Sequence, residues 1–151
     1  MRAGAVIRTA TLDDIPSLVD MGMRFAQSDA YRHILRDNPA QIESMAHMLV
    51  TTDTCTMLVL EKNGHIEGMI GMICTPHFLS GDMFAGEICW WVNPDHRGDG
   101  IRLMKAAEIW AKSRNALTIQ MVAPNERVGR LYERLGYKQT ETSYQKSCNA
   151  C

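Results

Sequence analysis

The stretch WWVNPDHRGDGIRLM, residues 90–104, decides the fold because it joins a strand to a helix through a turn that contains glycine. Its first residues are apolar, and Asn93-Pro94 ends the strand pattern because proline removes a backbone donor. The residues from Ile101 onward suit a helix. Glycine is a poor residue with which to begin a helix. Gly98 and Gly100 therefore need an explanation.

The residues of this turn leave two interpretations open. In the first, the unpaired N–H groups and the dipole at the helix start bind an anion such as phosphate, and Arg97 meets the same phosphate bidentately. In the second, Gly98 and Gly100 only supply positive φ angles for a tight turn. Neither GxxxxGK[ST] nor GxGxxG is present, which excludes the Walker P-loop and the dinucleotide fingerprint.

Length and composition predict a single globular domain over residues 1–151. Apolar residues make up 46% of the chain, charged residues 22%, and the formal net charge is -1. A charge this close to zero argues against nucleic acid or an anionic membrane as the partner. No apolar run approaches the ~20 residues of a membrane span, and no signal peptide begins the sequence.

The cysteines and histidines predict reduced thiols and no metal site. The five cysteines are an odd number without an export signal, which favours the cytoplasm. Cys55, Cys74 and Cys89 fall in strand-like runs, where buried free thiols are usual. Cys148 and Cys151 form a CxxC, but at the chain end we expect a tail rather than redox chemistry. The five histidines lack metal-ligand spacing.

Hydrophobic periodicity predicts strand, two helices, three meandering strands, helix, strand, helix and strand. Thr11 and Asp14 resemble a capping box before the first helix. Asn63-Gly64 signals a hairpin, and Trp90 and Trp91 should point to opposite faces of their strand. The predicted late elements are a helix over residues 99–113, a strand LTIQMV, a helix NERVGRLYERLG and a final strand or bent hairpin YKQTETSYQKSC. This order predicts an α/β or α+β sheet, mostly antiparallel, with one late parallel crossover.

Two motifs in this order resemble the GNAT superfamily, the GCN5-related N-acetyltransferases. The phosphate turn of that family is R/Q-x-x-G-x-G/A, reached through V-x-P, and it is matched here by Val92, Pro94, Arg97 and Gly100. A later family motif, N-x-x-A-x-x-L-Y-E-K-x-G-F, is matched by Asn125, Leu131, Tyr132, Glu133, Gly136 and Tyr137. The opening AVIRTATLDDIPSLVDM is also similar to the usual GNAT start.

The resemblance implies a mixed, mostly antiparallel sheet flanked by helices, with acetyl-CoA lying between two splayed parallel strands. These strands would be the one that ends at Trp91-Val92 and LTIQMV, with a bulge at residues 90–93. The pyrophosphate would lie on the amides of residues 97–102. The implied cofactor-binding residues are Trp91, Val92, Asn93, Arg97, Gly98, Asp99, Gly100, Ile101, Arg102 and Asn125.

The resemblance also implies transfer of an acetyl group to a primary amine of a small molecule or protein by direct attack. Tyr132 would protonate the departing thiolate, a reasonable role for a phenol. Glu87 is either the general base or a solvent-facing strand residue. The acceptor would be selected by residues 25–41 and the last strands, which give no clear preference for any class of amine.

Departures from the family pattern keep a second function open. The family usually has glycine or alanine where this chain has Arg102, and Val128 and Arg134 replace the alanine and lysine of the later motif. The alternative is a degenerate GNAT fold that binds acyl-CoA or a protein without turnover. The segment YKQTETSYQK is short for two strands, so the last strand is either stunted or contributed by a partner chain in a homodimer.

Overall fold

The computed structural model describes residues 4–150. The strands are β1 Val6–Thr9, β2 Cys55–Lys62, β3 His65–Pro76, β4 Met83–Val92 and β5 Thr118–Gln120. The α-helices are α1 Ile15–Ala26, α2 Pro39–Thr51, α3 Gly100–Ser113 and α4 Glu126–Arg134. Short 3-10 turns occupy Leu12–Asp14, Pro94–Asp99 and Cys148–Ala150. The chain divides into two compact units, Met1–Met121 and Val122–Cys151.

The five strands form one sheet in the order β1-β2-β3-β4-β5. The first three pairs of neighbours are antiparallel, and β4 pairs with β5 in parallel. Asn63 and Gly64 both have positive φ, 53° and 77°, which is the turn that suits a two-residue hairpin. The predicted mixed α/β sheet, with its late parallel crossover, is confirmed.

Strand alternation builds a core on each face of this sheet. On one face, α1 and α2 pack against strand residues such as Met57, Val59 and Met69. On the other face, α3 packs against Leu58, Leu60 and their neighbours. Trp90 packs with the α3 face and Trp91 with the α1 face, so the predicted opposite orientation of the two tryptophans is confirmed.

The entry to α1 is fixed by Asp14, whose side chain accepts a hydrogen bond from the Thr11 backbone N–H at 2.8 Å. This bond is the half of the predicted capping box that the carboxylate supplies. Arg8 donates to both carboxylate oxygens of Asp14 at 2.8 and 2.9 Å and to Glu61 at 2.6 Å. One side chain therefore ties β1, β2 and the start of α1 together.

The predicted final strand or bent hairpin, YKQTETSYQKSC, is wrong. Residues 138–147 form no strand and are exposed, and Tyr144 is among the exposed aromatic side chains. The segment is almost entirely polar, so it has no apolar face whose burial would hold a strand against a sheet.

None of the helices in residues 4–150 combines the length and the apolar character that a membrane span needs.

Candidate active site

The parallel strands β4 and β5 separate after a short ladder. Their three paired positions end with Gly86 opposite Gln120, but β4 continues to Val92. Along Glu87–Val92, no described strand pairs with the side of β4 that faces β5. We call this stretch of β4 the free edge, because no described strand lies along it and a ligand in extended form can do so. The splayed parallel pair that the sequence predicted is present.

The bulge in β4 lies earlier than predicted. Gly71 is opposite Cys89 and Met72 is opposite Glu87, so Ile88 is the extra residue. The predicted bulge at residues 90–93 is therefore wrong. Gly71 lies opposite Cys89 at this bulge, and a β-carbon at Gly71 would come within 2.7 Å of Leu49 Cδ1 and 3.1 Å of Cys89 Sγ. Close packing therefore favours glycine on β3 beside the bulge.

The turn after β4 is a 3-10 turn that runs directly into α3. Gly100 has φ -60°, and Gly98 is also outside the left-handed region. The interpretation that these glycines supply positive φ is thus wrong. A β-carbon at Gly100 would lie 3.4 Å from Trp90 and Val92, an ordinary van der Waals distance, so packing does not exclude a small side chain there. A β-carbon at Gly98 would meet nothing within 4 Å, and neither conformation nor packing requires glycine there.

Arg97 folds back onto the end of β4. Its Nε donates to the Val92 carbonyl at 2.9 Å, and its guanidinium lies 4.9 Å from the centre of the Trp91 ring. Arg102 donates to the Ala5 carbonyl at 2.8 Å and lies 3.5 Å from Asp99. Arg102 thereby links α3 to the chain before β1, which gives a structural reason for an arginine at this position.

Asn93 is 9% exposed, and both its side chain and its backbone N–H make hydrogen bonds. Its Oδ1 accepts hydrogen bonds from Trp91 Nε1 and from Arg24, both at 3.0 Å. Its Nδ2 donates to Glu67 at 2.8 Å, and its backbone N–H donates to the Glu67 carbonyl at 2.8 Å. This side chain locks the end of β4 to β3 and α1.

Glu87 is half-buried and lies at the point where the β4–β5 ladder ends, next to the bulge. Its negative charge contributes to the raised pKa of two neighbours. Burial and then Glu87 raise the pKa of Tyr31, and the same causes raise the pKa of Cys89 to about 12. The carboxylate is therefore near the α1–α2 connection as well as at the start of the free edge.

The second unit contains α4 and the two site residues predicted there. Asn125 caps α4, since its side chain accepts a hydrogen bond from the Val128 N–H at 3.0 Å. Gly136, with φ 96°, follows the end of the helix as predicted. Tyr132 is 6% exposed, and its hydroxyl donates to the Val122 carbonyl at 3.0 Å. The hydroxyl therefore has a protein acceptor.

Three half-buried aromatic residues near Glu87 were not singled out together from the sequence. Phe25 and Tyr31 stack with ring centres 4.3 Å apart, and Phe25 meets Trp91 edge to face at 6.4 Å. We call Phe25, Tyr31 and Trp91 the aromatic wall. The available signal was two aromatic residues at the start of the predicted acceptor segment, but nothing in the sequence joined them to Trp91.

No group of three or more potential metal-ligating side chains occurs among residues 4–150.

The Acetyltransferase (GNAT) family model matches residues 21–137. No curated protein sequence matches the chain.

Solved structures with the same fold cover nearly the whole chain. A transcriptional regulator from Bacillus halodurans C-125 has a TM-score of 0.79 at 24% identity, covering 95% of this chain and 99% of its own. A ribosomal-protein-alanine N-acetyltransferase from Brucella melitensis biovar Abortus 2308 has a TM-score of 0.72 at 21% identity, with the same coverage. A predicted acetyltransferase with acetyl-CoA from Clostridium acetobutylicum has a TM-score of 0.78 at 18% identity, covering 98% and 99%.

The splayed parallel strands, the turn before α3 and the match over residues 21–137 agree with one another. The chain belongs to the GNAT acetyltransferase family.

Proposed function

We propose that this chain is an acetyl-CoA-dependent N-acetyltransferase that acetylates a primary amine by direct attack. The observation that carries the proposal is Gly98, which is glycine without a conformational or packing reason. An exposed glycine in the turn before a helix lets a phosphate approach the backbone amides. The free edge of β4 leads to that turn, and β5 does not cover it, so an extended ligand has a strand to lie along.

Residues of the first unit would hold the pyrophosphate and the pantetheine arm of acetyl-CoA in different ways. The backbone of Arg97, Gly98 and Asp99 would hold the pyrophosphate at the positive end of α3. The exposed Arg97 side chain has N–H groups left beyond the one bonded to Val92, so it could add a charge-assisted bond. The backbone N–H of Val92 would bond to the pantetheine arm, because the Val92 carbonyl already accepts from Arg97 and the backbone of Trp91 pairs with Met69 on β3.

Acetyl-CoA supplies the acetyl group as a thioester. The amine nitrogen forms the new bond to the carbonyl carbon, the carbon–sulfur bond breaks, and the thiol leaves with one proton. Glu87 would accept a proton from the ammonium form of the acceptor, because its carboxylate lies where the free edge begins. Tyr132 would give a proton to the thiolate, while the nitrogen loses its second proton to solvent as the amide forms. The Tyr132 hydroxyl would then recover a proton from solvent, and Glu87 would release the one that it accepted.

The experiment has two parts, binding and turnover. Acetyl-CoA at about 100 times its dissociation constant should stabilise the fold by about 2.7 kcal/mol, whereas adenosine, which lacks the pyrophosphate and pantetheine, should stabilise it far less. CoA release should then rise when a primary amine is added. A melting curve unmoved by millimolar acetyl-CoA would refute cofactor binding. Binding without release for any amine would favour the non-catalytic alternative.

A further inference from the structure

The aromatic wall follows the part of β4 that β5 leaves free. Trp91 is on the strand itself, Phe25 is in the last turn of α1, and Tyr31 is in the turn that follows. Each ring contacts the next, so the wall extends from Trp91 through Phe25 to Tyr31. All three side chains are partly exposed. Such rings offer a flat apolar surface to a ligand.

The wall has opposite charges at its two ends. Arg97 lies over the Trp91 ring at 4.9 Å. Glu87 acts at the other end, where its charge helps to raise the pKa of Tyr31. An ammonium group would be repelled at the Arg97 end and attracted at the Glu87 end. An apolar group would gain from contact with the rings at either end.

The turn that carries Tyr31 also exposes two apolar side chains. Ile34 and Leu35 are 49% and 42% exposed, and the backbone N–H groups of both bond to the Tyr31 carbonyl. Asp29 and Arg32 of the same turn are exposed as well, and they pair with each other at 3.4 Å. Ile34 and Leu35 add apolar surface near the wall, which favours a substrate with an apolar body.

We propose that the acceptor is a primary amine with an apolar, ring-bearing body, which lies on Phe25, Tyr31 and Trp91 with its ammonium group toward Glu87. This inference rests on the proposed function, since it names the class of amine that the same site acetylates. The orientation brings the nitrogen to the start of the free edge of β4. The body of the substrate extends toward Trp91.

The test compares the binding of three small probes to the full chain by calorimetry, without acetyl-CoA. The probes are 2-phenylethylamine, ethanolamine (no ring) and 2-phenylethanol (no charge). We expect 2-phenylethylamine to bind at least about tenfold more tightly than either of the others, the effect of one or two good pocket contacts. Equal affinity for 2-phenylethylamine and ethanolamine would overturn the proposal.

Two variants test whether the aromatic wall is responsible for the tighter binding of 2-phenylethylamine. Tyr31→Leu keeps an apolar side chain but removes the ring, and it should abolish most of the preference for 2-phenylethylamine. Phe78→Leu also replaces a ring by leucine, at a fully exposed residue between β3 and β4 that is not part of the wall, and it should leave the preference unchanged. An unchanged preference in Tyr31→Leu, with an unchanged melting curve, would place the binding site elsewhere and overturn the inference.

Turnover separates this inference from the proposed function. If 2-phenylethylamine is acetylated with a higher kcat/KM than ethanolamine, both are supported. If both amines are acetylated equally well and bound equally, the acetyltransferase stands and the inference falls. If the ring-bearing amine is bound preferentially through Tyr31 but no amine is acetylated, the inference stands as a binding site and the proposed function falls.

Discussion

At the scale of single residues, Gly98 and Gly100 differ in their surroundings. Gly98 is exposed, and a β-carbon there would meet nothing within 4 Å, whereas Gly100 is buried and a β-carbon there would lie against Trp90 and Val92. Of the two glycines, Gly98 is therefore the one that a ligand can approach. A sequence pattern cannot make this distinction, because it depends on which side chains from another element fill the space beside each residue.

We therefore predict that Gly98→Val weakens acetyl-CoA binding about tenfold, or about 1.4 kcal/mol. The melting temperature without ligand should be nearly unchanged, since a β-carbon at Gly98 meets no neighbour. Thr52→Val is the control, because it places the same side chain at an exposed residue between α2 and β2, at the other end of the sheet from the turn. Calorimetric titration with acetyl-CoA gives the answer, and equal affinity for both variants would contradict the role of Gly98.

Tyr132 presents a different question, because its hydroxyl already has an acceptor in the Val122 carbonyl. We predict that Tyr132→Phe lowers turnover roughly 10²-fold if the phenol protonates the thiolate. The KM for acetyl-CoA should change little, since the lost interaction belongs to the transition state. The free energy of unfolding should fall by about 1 kcal/mol, the value of one hydrogen bond. Near-normal turnover with the same loss of stability would leave Tyr132 with a structural role alone.

At the scale of elements, β4 is the strand on which the site depends. It pairs along its whole length with β3 but only at its start with β5. The alternation in MFAGEICWWV correctly predicted that Trp90 and Trp91 face opposite ways. It did not predict the bulge at Ile88, because a bulge depends on the pairing with the neighbouring strand, where Gly71 lies opposite Cys89. The sequence thus predicted the strand but not its local irregularity.

The crossing of α1 and α2 depends on Gly22. A β-carbon there would lie 2.5 Å from Ile42 Cγ2, so we predict that Gly22→Ala lowers the free energy of unfolding by roughly 1–2 kcal/mol despite the better helix propensity of alanine. Ile42→Ala in the same chain should recover part of this loss by removing the clash. Gly129→Ala on α4 is the contrast: the nearest atom would be 3.8 Å away, and stability should rise by about 0.5–1 kcal/mol. Urea unfolding of the parent chain, Gly22→Ala, the double variant Gly22→Ala/Ile42→Ala and Gly129→Ala would measure these differences.

At the scale of the whole molecule, the order of elements was predictable because each carries its own period and its own end signals. Asn63-Gly64, Asn125 and Gly136 set turns and helix ends by local chemistry alone. The aromatic wall was not predictable, because its members come from α1, the turn after it and β4. The single domain predicted for residues 1–151 remains a prediction, as does a homodimer.

The stability of the whole chain should depend on pH through Asp14. Hydrogen bonding to Arg8 holds the pKa of this carboxyl below its ordinary value of 3.8 in the folded state. Its contribution is therefore fully present above pH 3.8 and is lost as the pH falls through the lowered value. We expect Asp14→Asn to cost about 2 kcal/mol at pH 7 and the difference from the parent chain to shrink below pH 3.8 in urea unfolding. Asp13→Asn, one residue earlier and exposed, should show no such convergence.

Cys89, buried beneath the bulge, makes the opening of the sheet measurable by chemistry. Thiol reagents attack the thiolate, and both the burial of Cys89 and its raised pKa keep that form scarce while β4 stays in place. Cys148 is exposed and should react at once, so both cysteines of the terminal CxxC, Cys148 and Cys151, are replaced by serine before the slow reaction is measured. The slow reaction that remains should follow exposure of the buried thiols of β2, β3 and β4. Its rate under native conditions should reveal how often the sheet opens without any denaturant, and a slow step lost in Cys89→Ala would assign the opening to β4.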